Sequence, residues 1–87
     1  MKRQERLYKI LSENLNPTQL FVIDDSHKHA GHLEQNPKEK HFRVEIESPL
    51  LEGKPRVEAH RLIHELLSEE LKTGLHALSI RLLPKKN

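Results

Sequence analysis

Seven histidines and no cysteine bound the chemistry open to this 87-residue chain. The histidines are His27, His29, His32, His41, His60, His64 and His76. Lack of a thiol excludes a disulfide, a zinc–thiolate site and a cysteine nucleophile, and leaves imidazole as the soft metal ligand. Three imidazoles fall within His27-Lys28-His29-Ala30-Gly31-His32, a polar stretch that could swing them onto one ion at an entropic cost. Solvated loop side chains are the plainer alternative there. His60 and His64 stand at i and i+4, the spacing that lets two imidazoles on a helix share an ion. No His-Glu-x-x-His motif supports a zinc helix, so one half-buried and one exposed histidine are expected instead. His76 follows Gly74 at the opening of a strand, where a side chain reaches solvent.

Catalytic arrangements are absent. The chain has no glycine-rich phosphate loop and no Gly-x-Ser-x-Gly elbow. Asp24 and Asp25 are adjacent, and neighbours in a strand point to opposite faces, so they are expected to serve a turn rather than acid–base work. A non-enzymatic protein is therefore expected. Gly53 and Lys54 open a helix carrying Arg56 and Arg61, a loose match to turns that clamp a nucleic-acid backbone. Arg81, Lys85 and Lys86 lie elsewhere. With 15 Lys and Arg against 13 Asp and Glu, the net charge of +2 demands no nucleic-acid partner. Tyr8, Phe21 and Phe42 are the aromatics, and Phe21 and Phe42 are expected in the core, which leaves no stacking platform for bases.

The elements that must position these groups are legible in the periodicity. Apolar residues form 34% of the chain and charged residues 32%, a lean but patterned mixture that supports folding as one domain over 1–87. Leu7, Ile10, Leu11 and Leu15 mark one face of a first helix over 3–15, ended by Asn16-Pro17. Leu20-Phe21-Val22-Ile23 is a short buried strand closed by Asp24-Asp25-Ser26. His41-Phe42-Arg43-Val44-Glu45-Ile46-Glu47-Ser48 alternates as a half-buried strand. The connection over 26–40 is too long for a hairpin and marks a functional loop. A turn over 49–54 pivots on Gly53. Val57, Leu62, Ile63, Leu66, Leu67 and Leu71 give a helical region over 56–72, which Ser68 could split by capping a second helix. Thr73-Gly74 stops it, and Leu78, Ile80 and Leu82 share a face of a third strand. The expected fold is α+β: a three-stranded mixed sheet with helices on one face. No apolar run is long enough to span a bilayer. The basic start leads into an amphipathic pattern rather than a signal peptide, so a cytoplasmic location is expected.

Val22-Ile23-Asp24-Asp25-Ser26, His27-Lys28-His29-Ala30-Gly31-His32, His41-Phe42-Arg43-Val44, Leu51-Glu52-Gly53, His60-Arg61 and Leu75-His76-Ala77-Leu78-Ser79-Ile80 together resemble the BolA family, in order and spacing, over residues 4–82. The resemblance implies an α-β-β-α-α-β domain similar to a type II KH fold. It implies a partner, a monothiol glutaredoxin of the Cys-Gly-Phe-Ser type, joined with or without a bridging 2Fe-2S cluster. It also implies a role in iron homeostasis and cluster trafficking. Cluster ligands in the family are a histidine of the His-Ala-Leu strand and a His or Cys of the loop between the first two strands. Here these correspond to His76 and, counting from Ser26, His29, with His32 and His27 as alternates. The partner's cysteine and its glutathione would supply thiolate.

The same resemblance carries an alternative, a DNA-binding regulator of stress response and morphology, with Gly53, Lys54, Arg56 and Arg61 as its contacts. Two departures stand out. Ala59-His60-Arg61 replaces the Arg-His-Arg of many relatives and removes one cation, and Leu51 replaces the usual phenylalanine at little cost in volume. The isolated protein is expected to be a monomer or weak dimer, off the membrane, without a tightly held cluster or zinc. Two imidazoles on one iron would raise the potential relative to all-thiolate clusters, and acid should weaken such a site because imidazole binds metal when neutral.

Overall fold

The computed structural model describes residues 2–25 and 41–85. The elements run α1 (Arg3–Leu15), β1 (Gln19–Asp24), β2 (His41–Glu47), α2 (Arg56–Leu66), α3 (Ser68–Lys72) and β3 (Ala77–Leu82). The sheet order is β1-β2-β3, with β1 antiparallel and β3 parallel to the central β2. A parallel neighbour requires a crossover, and α2 and α3 supply it.

Period-two alternation in the strands gives the sheet one buried face. Val22, Phe42, Val44 and Ile46 are buried there, and Leu78, Ile80 and Leu82 lie opposite Phe42, Val44 and Ile46 in register. Leu7, Leu11 and Leu15 of α1 and Ala59 and Ile63 of α2 close the same cluster, with Leu67 and Leu75 beside them. Truncating any of the fully buried leucines to alanine would cost about 2–5 kcal/mol.

The helix ends follow local chemistry. Asn16 takes a left-handed conformation at φ 43°, which asparagine tolerates and which Pro17 then makes a full stop. The buried Ser48 hydroxyl donates to the Leu15 carbonyl, tying the end of α1 to the end of β2. Gly53 turns the chain at φ 81°, a value that a side chain would resist.

Four expectations need correction. Phe21 is 51% exposed rather than core, because its place in the alternation puts it on the sheet face that no helix among the described residues covers. Val57 is exposed, and Ala59 occupies the buried stripe of α2 in its place. Ser68 is the first residue of α3 and caps nothing: the capping position belongs to Leu67, and no side-chain cap bond forms. His76 precedes β3 rather than opening it, since pairing begins at Ala77.

Candidate metal centre

The parallel register that pairs His41 with Ala77 places His76, one residue earlier, against the first residue of β2. The two rings meet edge to face, with centroids 5.4 Å apart and planes at 68°. They share an open hollow with Asp25, Phe42, Leu78 and Ser79. His76 is exposed and His41 half-buried. The Asp25 amide donates to the His41 carbonyl at 2.8 Å, extending the β1–β2 ladder to the rim of the hollow.

The pair fits the donor set that a shared metal requires. Two imidazoles bound at about 2 Å and at a tetrahedral angle to one ion have ring centres roughly 5 Å apart. The observed centroid separation of 5.4 Å is close to that value. No group of three or more His, Cys, Asp or Glu residues among those described could hold a metal ion. What the described residues present here is an exposed and a half-buried imidazole side by side at one open hollow.

A polar clamp fixes the approach to His76. Arg6 binds the Glu70 carboxylate through Nε and Nη2, at 2.8 and 3.1 Å. Arg3 Nε lies 3.5 Å from the same carboxylate. Its Nη1 and Nη2 also donate to the carbonyls of Glu70 and Thr73, at 3.1 and 3.2 Å. The Leu75 amide closes the turn on the Glu70 carbonyl at 2.9 Å, and the Leu75 side chain is buried. Gly74, at φ 130°, leaves room for the Arg3 guanidinium; a Cβ there would lie 3.1 Å from Arg3 Nη2. The Arg6 hydrogen bonds hold the Glu70 carboxyl below the usual carboxylate range, and the charges of Arg6 and Arg3 add to this against the opposing effect of burial.

Of the residues expected from sequence, His76 is at the hollow, whereas His29, His32 and His27 lie outside the described residues. His60 is half-buried and His64 exposed on α2, as expected. Gly53, Lys54, Arg56 and Arg61 are all exposed at the turn and along α2. Arg56 lies against Ile80 and Leu82, toward the other end of β3 from His76, about 15 Å along a strand rising roughly 3.3 Å per residue. His41 was missed as a site residue. Its signal was present in the chain: a histidine opening one strand and a histidine just ahead of another become neighbours if those strands pair in parallel.

The relatives of this arrangement are specific. A family model described as "BolA-like protein" matches residues 11–87. The chain belongs to the BolA-like family. It is 45% identical over 84 residues to the UV-induced protein uvi31 of Schizosaccharomyces pombe, covering 92% of this chain and 82% of that protein. It is 46% identical over 81 residues to the chloroplastic protein BOLA1 of Arabidopsis thaliana, covering 90% of this chain and 51% of BOLA1, so it spans about half the length of that relative. Among solved structures, the BolA domain of SufE1 from Arabidopsis thaliana superposes with a TM-score of 0.84 at 45% identity, covering 94% of this chain and 91% of that one. The α+β architecture with a three-stranded mixed sheet is therefore that of solved BolA-like domains.

Proposed function

We propose that this BolA-like protein is a non-enzymatic, cytoplasmic accessory of iron–sulfur cluster trafficking and iron homeostasis. It would bind a monothiol glutaredoxin of the Cys-Gly-Phe-Ser type and share a bridging 2Fe-2S cluster with it. The observation that carries this reading is the pairing of the exposed His76 with the half-buried His41, ring centroids 5.4 Å apart at an open hollow. A cysteine-free chain brings imidazole to iron, and the partner's cysteine and glutathione bring thiolate. His76 is the first ligand in this reading. The ring contact supports His41 as the second, in competition with His29, which the resemblance favours. One relative is itself a SufE-like protein, 45% identical to this chain over 83 residues that make up 22% of its length.

When bound, the cluster would supply one-electron and iron-transfer chemistry. The protein's own part would be to hold the His76 imidazole, with His41 beside it, at the partner surface. The test is anaerobic co-purification with the monothiol glutaredoxin followed by a visible spectrum. A coloured heterodimer that loses its colour in His76→Ala supports the reading; a colourless complex, or an unchanged spectrum in that variant, overturns it. The protein purified alone should carry no stoichiometric colour.

The exposed cations Lys54, Arg56 and Arg61 beside the Gly53 turn favour a second reading, DNA binding. Phosphate neutralisation makes affinity fall steeply with salt. Absence of a DNA complex at physiological salt removes that reading.

A further inference from the structure

The two edges of the sheet are finished differently. At the β1 edge, Gln4 of α1 donates through Nε2 to the Val22 carbonyl at 2.6 Å, so a backbone group turned away from β2 already has a partner. At the β3 edge no such cover exists among the described residues. The Leu83 amide donates inward to the Ile46 carbonyl at 2.8 Å. Backbone groups alternate sides along a strand, so Arg81 and Ser79 also turn inward. Leu78, Ile80 and Leu82 then turn their N–H and C=O groups outward. Their side chains are only half-buried. A groove beside this edge is lined by Ile80 and Leu82 with Arg56, His60 and Arg81. Among the described residues Arg56, Arg61 and Lys54 form no ion pair, and Arg81 reaches only Glu45, at 3.9 Å with its own side chain 70% exposed.

We propose that the β3 edge is a docking site for an extended acidic segment of a partner protein, which adds a fourth strand to the sheet. Main-chain bonds to Leu78, Ile80 and Leu82 would give affinity. Alternate apolar side chains of the segment would lie over Ile80 and Leu82, the carboxylates between them would meet Arg81 on the other face of the sheet, and Arg56 beside the apolar side would add positive potential. Charge decides between occupants. A second copy of this chain pairing through the same edge would oppose one basic groove with another, and charged side chains at an edge are a common device against self-pairing. A nucleic-acid strand would match the charge, yet it would leave the outward amides of β3 unused and finds no Phe, Tyr or Trp, only the half-buried His60 ring, among the described residues lining this groove.

The probe is an amidated hexapeptide of alternating glutamate and valine, labelled at its N-terminus, with the lysine–valine hexapeptide and an oligothymidylate as comparison ligands. Binding is followed by fluorescence anisotropy and amide exchange by NMR on the intact protein. The glutamate peptide should bind, slow exchange at the Leu78, Ile80 and Leu82 amides at least tenfold, and lose at least tenfold in affinity to the double variant Arg56→Glu, Arg81→Glu. Both substituted side chains are exposed, so the variant should fold; a native amide spectrum verifies this. In that variant the lysine peptide should become the better ligand. The proposal is overturned if the glutamate peptide fails to bind at millimolar concentration, or if the lysine peptide binds the native protein equally well. It is also overturned if the oligothymidylate binds more tightly, or if the three amides are protected without any peptide, as a second copy would protect them.

Discussion

His41 and His76 reach the same hollow by opposite means. His41 stands on the central strand, where ladder bonds on both sides and the Asp25 amide on its carbonyl fix the backbone locally. His76 follows the short helix α3, whose last turn is anchored to α1 by Arg3 and Arg6, residues more than 60 positions away in sequence. One ligand is placed by a sheet, the other by a long-range ionic clamp. A sheet yields only when the domain unfolds, whereas a clamp can be loosened by one substitution or by acid. Of the two, the more exposed histidine is therefore the one whose position depends on a titratable contact.

The sharpest break in this comparison is removal of His76 itself. His76→Ala should abolish the bridged cluster in the glutaredoxin complex, seen as loss of visible absorbance. Because the side chain is exposed, thermal stability should change by no more than about 0.5 kcal/mol. A stability loss with the cluster intact would reduce His76 to a structural residue.

The clamp comes next. Glu70→Gln keeps the shape but removes the charge that Arg6 and Arg3 share. Its side chain is 11% exposed, so the contact is shielded from water. Hydrogen bonds to charged groups contribute roughly 1.5–3 kcal/mol, and for a domain of this size each kcal/mol shifts Tm by about 4–8 °C. A fall in Tm of roughly 10 °C is expected by calorimetry at neutral pH. The pH dependence has a definite sign. Folding lowers the Glu70 pKa, so the unfolded chain takes up the proton first as pH falls. The stabilisation is complete above the ordinary glutamate range, near pH 4.3, and is lost as pH drops below it. The gap in Tm between native protein and Glu70→Gln should therefore close in acid; a gap that persists at pH 2 would show that the contact acts by shape rather than charge.

Much of this arrangement was legible in the chain, and the missing parts have a common cause. Periodicity placed α1, the three strands and one helical region over 56–72, whose division into α2 and α3 it left open, because helical and two-residue spacings follow from one buried face each. It misplaced Phe21 and Val57, since an apolar residue on a strand or helix gives no sign of whether a neighbouring element covers it. The crossover between β2 and β3 was visible as a helical stretch, but not the register that brings His41 to His76. The clamp was invisible for the same reason: Arg3, Arg6 and Glu70 look like ordinary surface charges until α3 folds back on α1. The family resemblance pointed to His76, and the structure adds that His41 lies beside it at one hollow.

A smaller effect separates the candidates for the second imidazole. His41→Ala should weaken the cluster more than His29→Ala if a strand-fixed ring is the ligand, since fixed direction favours ligation. In the His29→Ala protein, His27 and His32 remain as neighbours in sequence. The comparison is read from the visible spectrum and from the rate of cluster release to a chelator. A complete loss in His29→Ala with a normal spectrum in His41→Ala would return the second ligand to the loop and leave the 5.4 Å ring contact as packing.

The smallest effect is expected on α2. His60 and His64 share the spacing that on a helix suits a metal, yet no group of three or more potential ligands that could hold an ion forms there among the described residues. His64 is exposed, and replacing it removes little contact, so His64→Ala should move stability by less than about 0.5 kcal/mol. His60 is half-buried at the groove beside Ile80 and Leu82, so His60→Ala should cost somewhat more through lost packing. Neither change alters the sheet register that brings His41 and His76 together. The cluster spectrum and its release rate should be unchanged in both variants, and also in the double variant. A loss of colour in the double variant with an unaltered Tm would place a ligand on α2 and undo the contrast between the strand-held and clamp-held histidines.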